Sequence, residues 1–222
     1  MQQPSQWGTL FDAAVATIEK AESVIGHRFL WSFGGGTALM LQIDHRESHD
    51  VDLFLDDPQV LPFLNPITQD YTIDREPDDY EVDGARMIKL IYDDVGEIDF
   101  ICCADITENS AKSTEIRGVK VKLETPAEIV GKKVFYRGAS LQPRDMFDIA
   151  AVAQALGTEY VLGALQEAGA DKCKTALAAA HRFDADAAYK VISRLMHRES
   201  TKDLVPSARQ TTIDLLTQAC DH

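Results

Sequence analysis

Four residues, Gly34-Gly35-Gly36-Thr37, separate the apolar run Phe29-Leu30-Trp31-Ser32-Phe33 from the helix-forming Ala38-Leu39-Met40-Leu41-Gln42. A short buried strand, a glycine turn and a helix start are therefore expected in immediate succession. Glycine permits positive φ and lets the backbone come close to a ligand. The first turn of the helix points free N–H groups at that place, and phosphate is the guest they favour. The turn is not a P-loop, because no Gly-Lys-Ser/Thr follows. It also lacks the Gly-x-Gly-x-x-Gly spacing of dinucleotide-binding folds.

A second strand, Asp50-Val51-Asp52-Leu53-Phe54-Leu55, is ended by Asp56-Asp57-Pro58. Residues two apart on a strand share a face, so Asp50 and Asp52 point the same way while Val51 and Leu53 enter the core. Like charges held side by side are unfavourable unless a cation neutralises them. Two divalent ions about 3.5–4 Å apart would suit such a pair. Glu97-Ile98-Asp99-Phe100 repeats the acidic and apolar alternation on a later strand. Asp99 is the expected third carboxylate, and Glu97, on the same face but nearer the turn, competes with it.

Elsewhere, Leu10, Ala13, Ala14, Thr17, Ile18 and Ala21 recur at helical spacing and predict a helix over 9–25. His27 flanks it, and Trp7 and Trp31 read as packing residues. Within the mixed segment 58–85, Tyr71–Ile73 suggests a short strand, and Asp78, Asp79, Glu81 and Asp83 a solvated acidic loop. Arg86–Tyr92 and Glu97–Cys103 form a hairpin, and Val119–Leu123 is another strand. Thr125-Pro126-Ala127-Glu128 has the form of a capping box with proline at the first helical position. It opens a helix to about Arg137, ended by Gly138. A second helix follows Pro143 to about Leu156, and three or four more fill 158–220. The expected class is α+β: a mixed sheet with flanking helices over 1–124, then a helical C-terminal region over 125–222.

The net charge is −14, which by itself does not advertise a nucleic-acid binder. Its distribution says more. Residues 44–108 hold nineteen acidic side chains against four basic, and 112–144 eight basic against three acidic. An acidic block for cations followed by a basic block for phosphates fits that order, although an ordinary solvated surface does so too. The apolar runs are too short to span a bilayer. Met1–Gln6 lacks the basic start and apolar stretch of a signal peptide, so the cytoplasm is expected. Cys102 and Cys103 are adjacent, no Cys-x-x-Cys occurs, and buried inert thiols in a reducing compartment follow. His45 and His49 are four apart beside Asp44, but no third ligand follows at zinc spacing.

Taken together, Phe33-Gly34-Gly35-Gly36-Thr37-Ala38-Leu39, Asp50-Val51-Asp52-Leu53-Phe54 and Ile98-Asp99-Phe100 resemble the DNA polymerase β-type nucleotidyltransferase superfamily. The pattern there is Gly-Gly/Ser, a spacer, Asp-x-Asp and one later Asp. The run through His45-Arg46-Glu47-Ser48-His49 is similar to the AbiEii/AbiGii toxin nucleotidyltransferases. So are Glu124–Lys133, Tyr136-Arg137-Gly138 and Arg144-Asp145-Met146-Phe147-Asp148-Ile149. The likeness covers roughly residues 30–150.

The resemblance implies a nucleotidyltransferase fold and a metal-dependent transfer of a nucleoside monophosphate from a nucleoside triphosphate, releasing pyrophosphate. Gly35, Gly36 and Thr37 would hold phosphates. Asp50, Asp52 and Asp99 would hold two Mg2+ ions, with Mn2+ as an alternative. The family's essential lysine maps to Lys133, with Lys132 as competitor, and its acidic residue to Asp145 or Asp148. Arg46, Ser48 and Arg144 are further candidates for nucleotide contact. A structural salt bridge from Asp148 to Arg144 or Lys133 is the competing reading. The resemblance also implies an RNA acceptor such as tRNA, a cognate antitoxin and no membrane. A small-molecule acceptor, as in antibiotic-modifying enzymes, and a non-catalytic nucleotide-binding module are the alternatives.

Overall fold

The computed structural model describes residues 4–84 and 86–221. The chain divides into two compact units. The first comprises residues through Ala38, Ser48–Ala104 and Lys112–Leu123, and the second Leu39–Glu47, Asp105–Ala111 and Glu124 onward.

The first unit is built on a seven-stranded mixed sheet. Its strands are β1 (Trp31–Gly34), β2 (Val51–Leu55), β3 (Asp79–Asp83), β4 (Met87–Tyr92), β5 (Gly96–Cys102), β6 (Ala111–Ile116) and β7 (Val119–Glu124), in the order β3-β4-β5-β2-β1-β7-β6. β1 runs antiparallel to β2 and parallel to β7, and β2 runs parallel to β5. One face is the core, where Phe33, Val51, Leu53, Ile98 and Phe100 are fully buried. Helix α1 (Trp7–Ile25) supplies Leu10, Phe11, Ala14 and Ile18 to this unit's interior, with the Phe11 and Phe33 rings 5.3 Å apart. Trp7 packs edge-on against Phe11.

Strand register sets out the other face. Gly34, Asp52, Asp99 and Lys89 form one cross-strand row. Lys122, Ser32, Phe54, Ile101 and Met87 form the next. Helix α2 (Gly35–Ile43) starts directly from β1.

Three expectations need correction. Tyr71–Ile73 is not a strand; the chain there follows a 3-10 helix (Pro58–Leu64) and the single turn α3 (Pro66–Gln69). The acidic stretch is instead strand β3, paired from Asp79 to Asp83 with β4 and exposed throughout. Charge is at home there, because an edge strand needs protection against further pairing. Cys102 and Cys103 are only half-buried, since they lie where β5 ends. Strand β6 is an addition. Arg117 and Gly118, at φ 51 and 83, make a two-residue turn that joins it to β7.

The second unit is helical: α4 (Pro126–Arg137), α5 (Pro143–Leu156), α6 (Thr158–Ala168), α7 (Ala170–Arg182), α8 (Ala185–Ile192) and α9 (Ala208–Cys220). Helix α5 is buried along most of its length, and Phe147, Ala150 and Ala151 pack with Ile192, Leu204, Val205 and Ala208. Residues 44–47 are bound into this unit. Arg46 pairs with His197, the Glu47 N–H donates to the Met196 carbonyl, and the His45 carbonyl accepts from Arg198 N and Thr201 Oγ1. Among the described residues, no helix is long and apolar enough to cross a membrane.

Candidate active site

The glycine turn and the Asp-x-Asp strand are fitted to each other within the first unit. Gly35 has φ +68, and a Cβ there would lie 1.9 Å from Asp52 Oδ2. The glycine therefore makes room for a carboxylate as well as a turn. Thr37 is buried and its hydroxyl donates to the Asp50 carbonyl, tying the first turn of α2 to the start of β2. Ser48 is also buried, and its carbonyl accepts from Ser5 Oγ.

Asp52 and Asp99 are register partners on adjacent strands, while Asp50 Oδ1 accepts from the Glu97 N–H at 3.2 Å. Burial, then Asp52, pushes the Asp99 carboxyl up to about 7, and Lys89 only partly opposes them. Lys89 Nζ lies 3.6 Å from Asp99 Oδ1 and bonds to Glu97. Asp99 Oδ1 is buried and has no hydrogen-bond partner among the described residues. Asp52 and Asp99 side by side, with a buried Asp99 oxygen lacking a hydrogen-bond donor, suit a hard divalent cation, although among the described residues Asp50, Asp52 and Asp99 are not a trio with ligand atoms all within 4.8 Å of one another.

Lys89 was not anticipated. Its signal was available: a lone lysine inside Met87-Ile88-Lys89-Leu90-Ile91, which the hairpin places opposite Asp99.

A second acidic group lies in the second unit. Carboxylate oxygens of Asp105, Glu124 and Glu128 come within 4.8 Å of one another, spacing that would suit a metal. The Lys132 ammonium already sits among them, 2.6 Å from Glu124, 3.4 Å from Glu128 and 3.8 Å from Asp105. A lysine charge thus does there what a metal would do. Glu128 also accepts from Ile106 N, Thr107 N and the Thr107 hydroxyl. Only half of the expected capping box forms. Thr125 Oγ1 accepts from Glu128 N, but the Glu128 side chain holds loop 105–107 instead of turning back.

The remaining candidates meet in a buried ion-pair cluster of the second unit. Asp148 accepts from Arg46 Nε at 2.7 Å, Arg46 Nη2 at 3.0 Å and His45 Nε2 at 2.9 Å, and Lys133 Nζ lies at 3.0 Å. Lys133 donates to Asp145 at 2.7 Å. Burial works to raise the Asp148 carboxyl, but Arg46, Lys133 and His45 hold it well below the usual carboxylate range. Burial likewise opposes ionisation of Asp145, and Lys133, followed by Arg137, prevails and lowers it. For Lys133, burial acts to lower the ammonium's value, yet Asp145 and Asp148 raise it. Arg46, a phosphate candidate by sequence, turns its guanidinium on Asp148. Arg144 is exposed, so the salt bridges that reach Asp148 come from Lys133 and Arg46. His45, 6.1 Å from the Phe147 ring, is a member of this cluster.

Glycine turn, Asp-x-Asp and a third Asp on a mixed sheet define the nucleotidyltransferase class of fold. The sequence matches the family described as "Nucleotidyl transferase AbiEii toxin, Type IV TA system" over residues 22–217, and the chain belongs to that family of nucleotidyltransferases. A nucleotidyltransferase from H. pylori is similar in structure, at 14% identity and a TM-score of 0.50, covering 99% of this chain and 96% of that one. The nucleotidyltransferase toxin MenT4 from Mycobacterium tuberculosis H37Rv is similar at 15% identity and a TM-score of 0.52, covering 94% of this chain and 83% of the other. At such identities the likeness is one of fold. No curated protein sequence matches the chain.

Proposed function

We propose that the protein transfers a nucleoside monophosphate from a nucleoside triphosphate to an RNA acceptor such as tRNA, as the toxin partner of a cognate antitoxin. The observation that carries this reading is the packing of Asp52 against Gly35 with Asp99 opposite it, one Asp99 oxygen buried without a donor. Asp50, Asp52 and Asp99 would hold two Mg2+ ions, or Mn2+, which supply charge neutralisation at the phosphates and activation of the attacking hydroxyl. The backbone N–H groups of Gly35, Gly36 and Thr37 receive the triphosphate at the start of α2. Thr37 fixes Asp50 through its carbonyl, and Lys89, bonded to Glu97 and 3.6 Å from Asp99, sets a positive charge beside the carboxylates. Ser48, Lys132 and Arg144 remain candidates for nucleotide contact. Asp145 and Asp148 serve activity by holding Lys133 and Arg46 in fixed positions.

The test is incubation of purified protein with Mg2+, tRNA and each of the four labelled nucleoside triphosphates. Label should pass to RNA with at least one of them and be lost in Asp52→Ala. Absence of transfer with all four, or an Asp52→Ala variant of full activity, refutes the reading. The net charge of −14 favours one competitor, a cationic small-molecule acceptor. An RNA acceptor should bind far more weakly as salt rises, whereas a small acceptor should respond little.

A further inference from the structure

The structure sorts the basic block 112–144 into two kinds of residue. Lys132 and Lys133 are buried in ion pairs, and Arg117 is bound to Asp12. Lys112, Lys120 and Lys122, on the β6–β7 hairpin, point to solvent, and among the described residues none of the three has an ion-pair partner. Lys120 and Lys122, two apart on β7, share one face and make a basic strip on a chain of net charge −14.

Two features extend this strip. A groove of about 560 Å³ lies where β1 begins, lined among others by Leu30, Trp31, Ser113, Glu115, Lys120 and Lys122. Leu30 is 63% exposed and Trp31 half-buried, so the groove has apolar and aromatic surface beside two ammonium groups. From Lys122 the open sheet face continues through Ser32 to Phe54, Ile101 and Met87, all half-buried. That row is two residues from Asp52 and Asp99, about 6.6 Å along the strands.

We infer that this path, from the Trp31 groove across Lys120 and Lys122 to Phe54, binds the single-stranded end of an RNA acceptor and delivers its terminus to the carboxylates. The inference rests on the proposed transfer to RNA and names where the acceptor lies. Single strands are held by this combination, lysines on phosphates and aromatic surface under bases, without sequence readout. The acidic excess lies in residues 44–108, nineteen acidic side chains against four basic, so within the sheet unit the hairpin is the approach that charge favours for a polyanion. Glu115 is the acidic residue on its rim.

The experiment follows binding of a labelled eight-nucleotide single-stranded RNA to the full chain by fluorescence anisotropy, without nucleoside triphosphate, between about 50 and 200 mM salt. Lys120→Gln/Lys122→Gln should weaken binding at least tenfold. It should also make the log–log salt dependence shallower by about 1.4, the value for two phosphate contacts on a single strand. Trp31→Ala should weaken binding and leave the slope unchanged, and Lys20→Gln, exposed on α1, should change neither. Both lysines are exposed, so their replacement should leave the melting temperature unaltered. Wild-type affinity in the double variant overturns the proposal. So does absence of binding at the lowest salt, or equal displacement by an oligoglutamate of the same charge. Binding is also measured on Asp52→Ala. If RNA binds there through the two lysines but wild type transfers no label, the functional reading fails and the path stands. If the double variant transfers label to RNA like wild type, the path fails and the functional reading stands.

Discussion

Asp52 Oδ2 lies 1.9 Å from where a side chain on residue 35 would begin, so the carboxylate fills the space that any side chain there would need. Gly35→Ala must expel the carboxylate or break the turn, which also holds φ at +68. Nucleotidyl transfer should fall about a hundredfold or more, as for a catalytic group displaced by about 1 Å. Gly157→Ala is the control. It too has positive φ, +97, but nothing lies near its missing Cβ. Melting temperature should fall in both variants, and turnover should collapse only in Gly35→Ala.

Asp99 gives a stability test. Its carboxyl is pushed up to about 7, chiefly by burial and then by Asp52, so the folded state favours the protonated form. The unfolded chain loses that proton near the ordinary value of about 3.9. The ionised carboxylate therefore subtracts stability progressively as pH rises from about 4 to about 7, and by a constant amount above that. In the presence of a chelator at pH 8, Asp99→Asn should melt higher than wild type, and the gap should close toward pH 4. Added Mg2+ should raise the wild-type melting temperature more than that of Asp99→Asn. A lower melting temperature for Asp99→Asn at pH 8 would contradict this account.

The buried cluster around Asp148 predicts a large asymmetry between neighbours. Asp148→Ala removes the buried carboxylate that Arg46, His45 and Lys133 share and should cost about 3–5 kcal/mol in denaturant unfolding. Arg144→Ala, four residues earlier and exposed, should change stability by no more than about 0.5 kcal/mol. Comparable losses in the two would mean that Arg144 carries the ion pair after all.

The same cluster sets an acid limit. Asp145 and Asp148 are both held below the usual carboxylate range, Asp148 strongly so. Their stabilisation is complete above the unfolded-state value of about 3.9. It is lost as pH falls through their lower folded values. Lys133 is shifted the other way, upward, so its contribution is complete below its ordinary value and is lost only in strong alkali. Wild type should lose stability below about pH 4, and Asp148→Asn should show a flatter acid limb in pH-dependent melts.

The sheet unit was legible because its signals are local. A glycine turn, a period-two Asp-x-Asp and a hairpin with Asp99 in mid-strand each follow from neighbours in the chain. Strand β3 was missed because Asp79, Glu81 and Asp83 look like loop residues, and only pairing with β4 shows an edge strand. Lys89 needed the register of that hairpin to be carried through to its partner. The roles of Lys132 and Lys133 were harder to separate. They are adjacent in sequence, yet one faces Glu124 and Glu128 and the other Asp145 and Asp148, a division that only three-dimensional packing decides. The partners of Asp148 were the least accessible, since Arg46 and His45 come from more than 100 positions earlier.

That last separation limits how the protein can be dissected. A gene fragment beginning at Glu124 would encode six helices and Asp148, but not the Leu39–Glu47 segment that the second unit also contains. Asp148 would then lack Arg46 and His45, and His197 would lack its strand partner. The complementary fragment would keep Gly35 and Asp52 but carry residues 39–47 with nothing to receive them. Neither half is a transferable cassette. Grafting the helical half onto another sheet unit would require moving both Leu39–Glu47 and Asp105–Ala111 along with it.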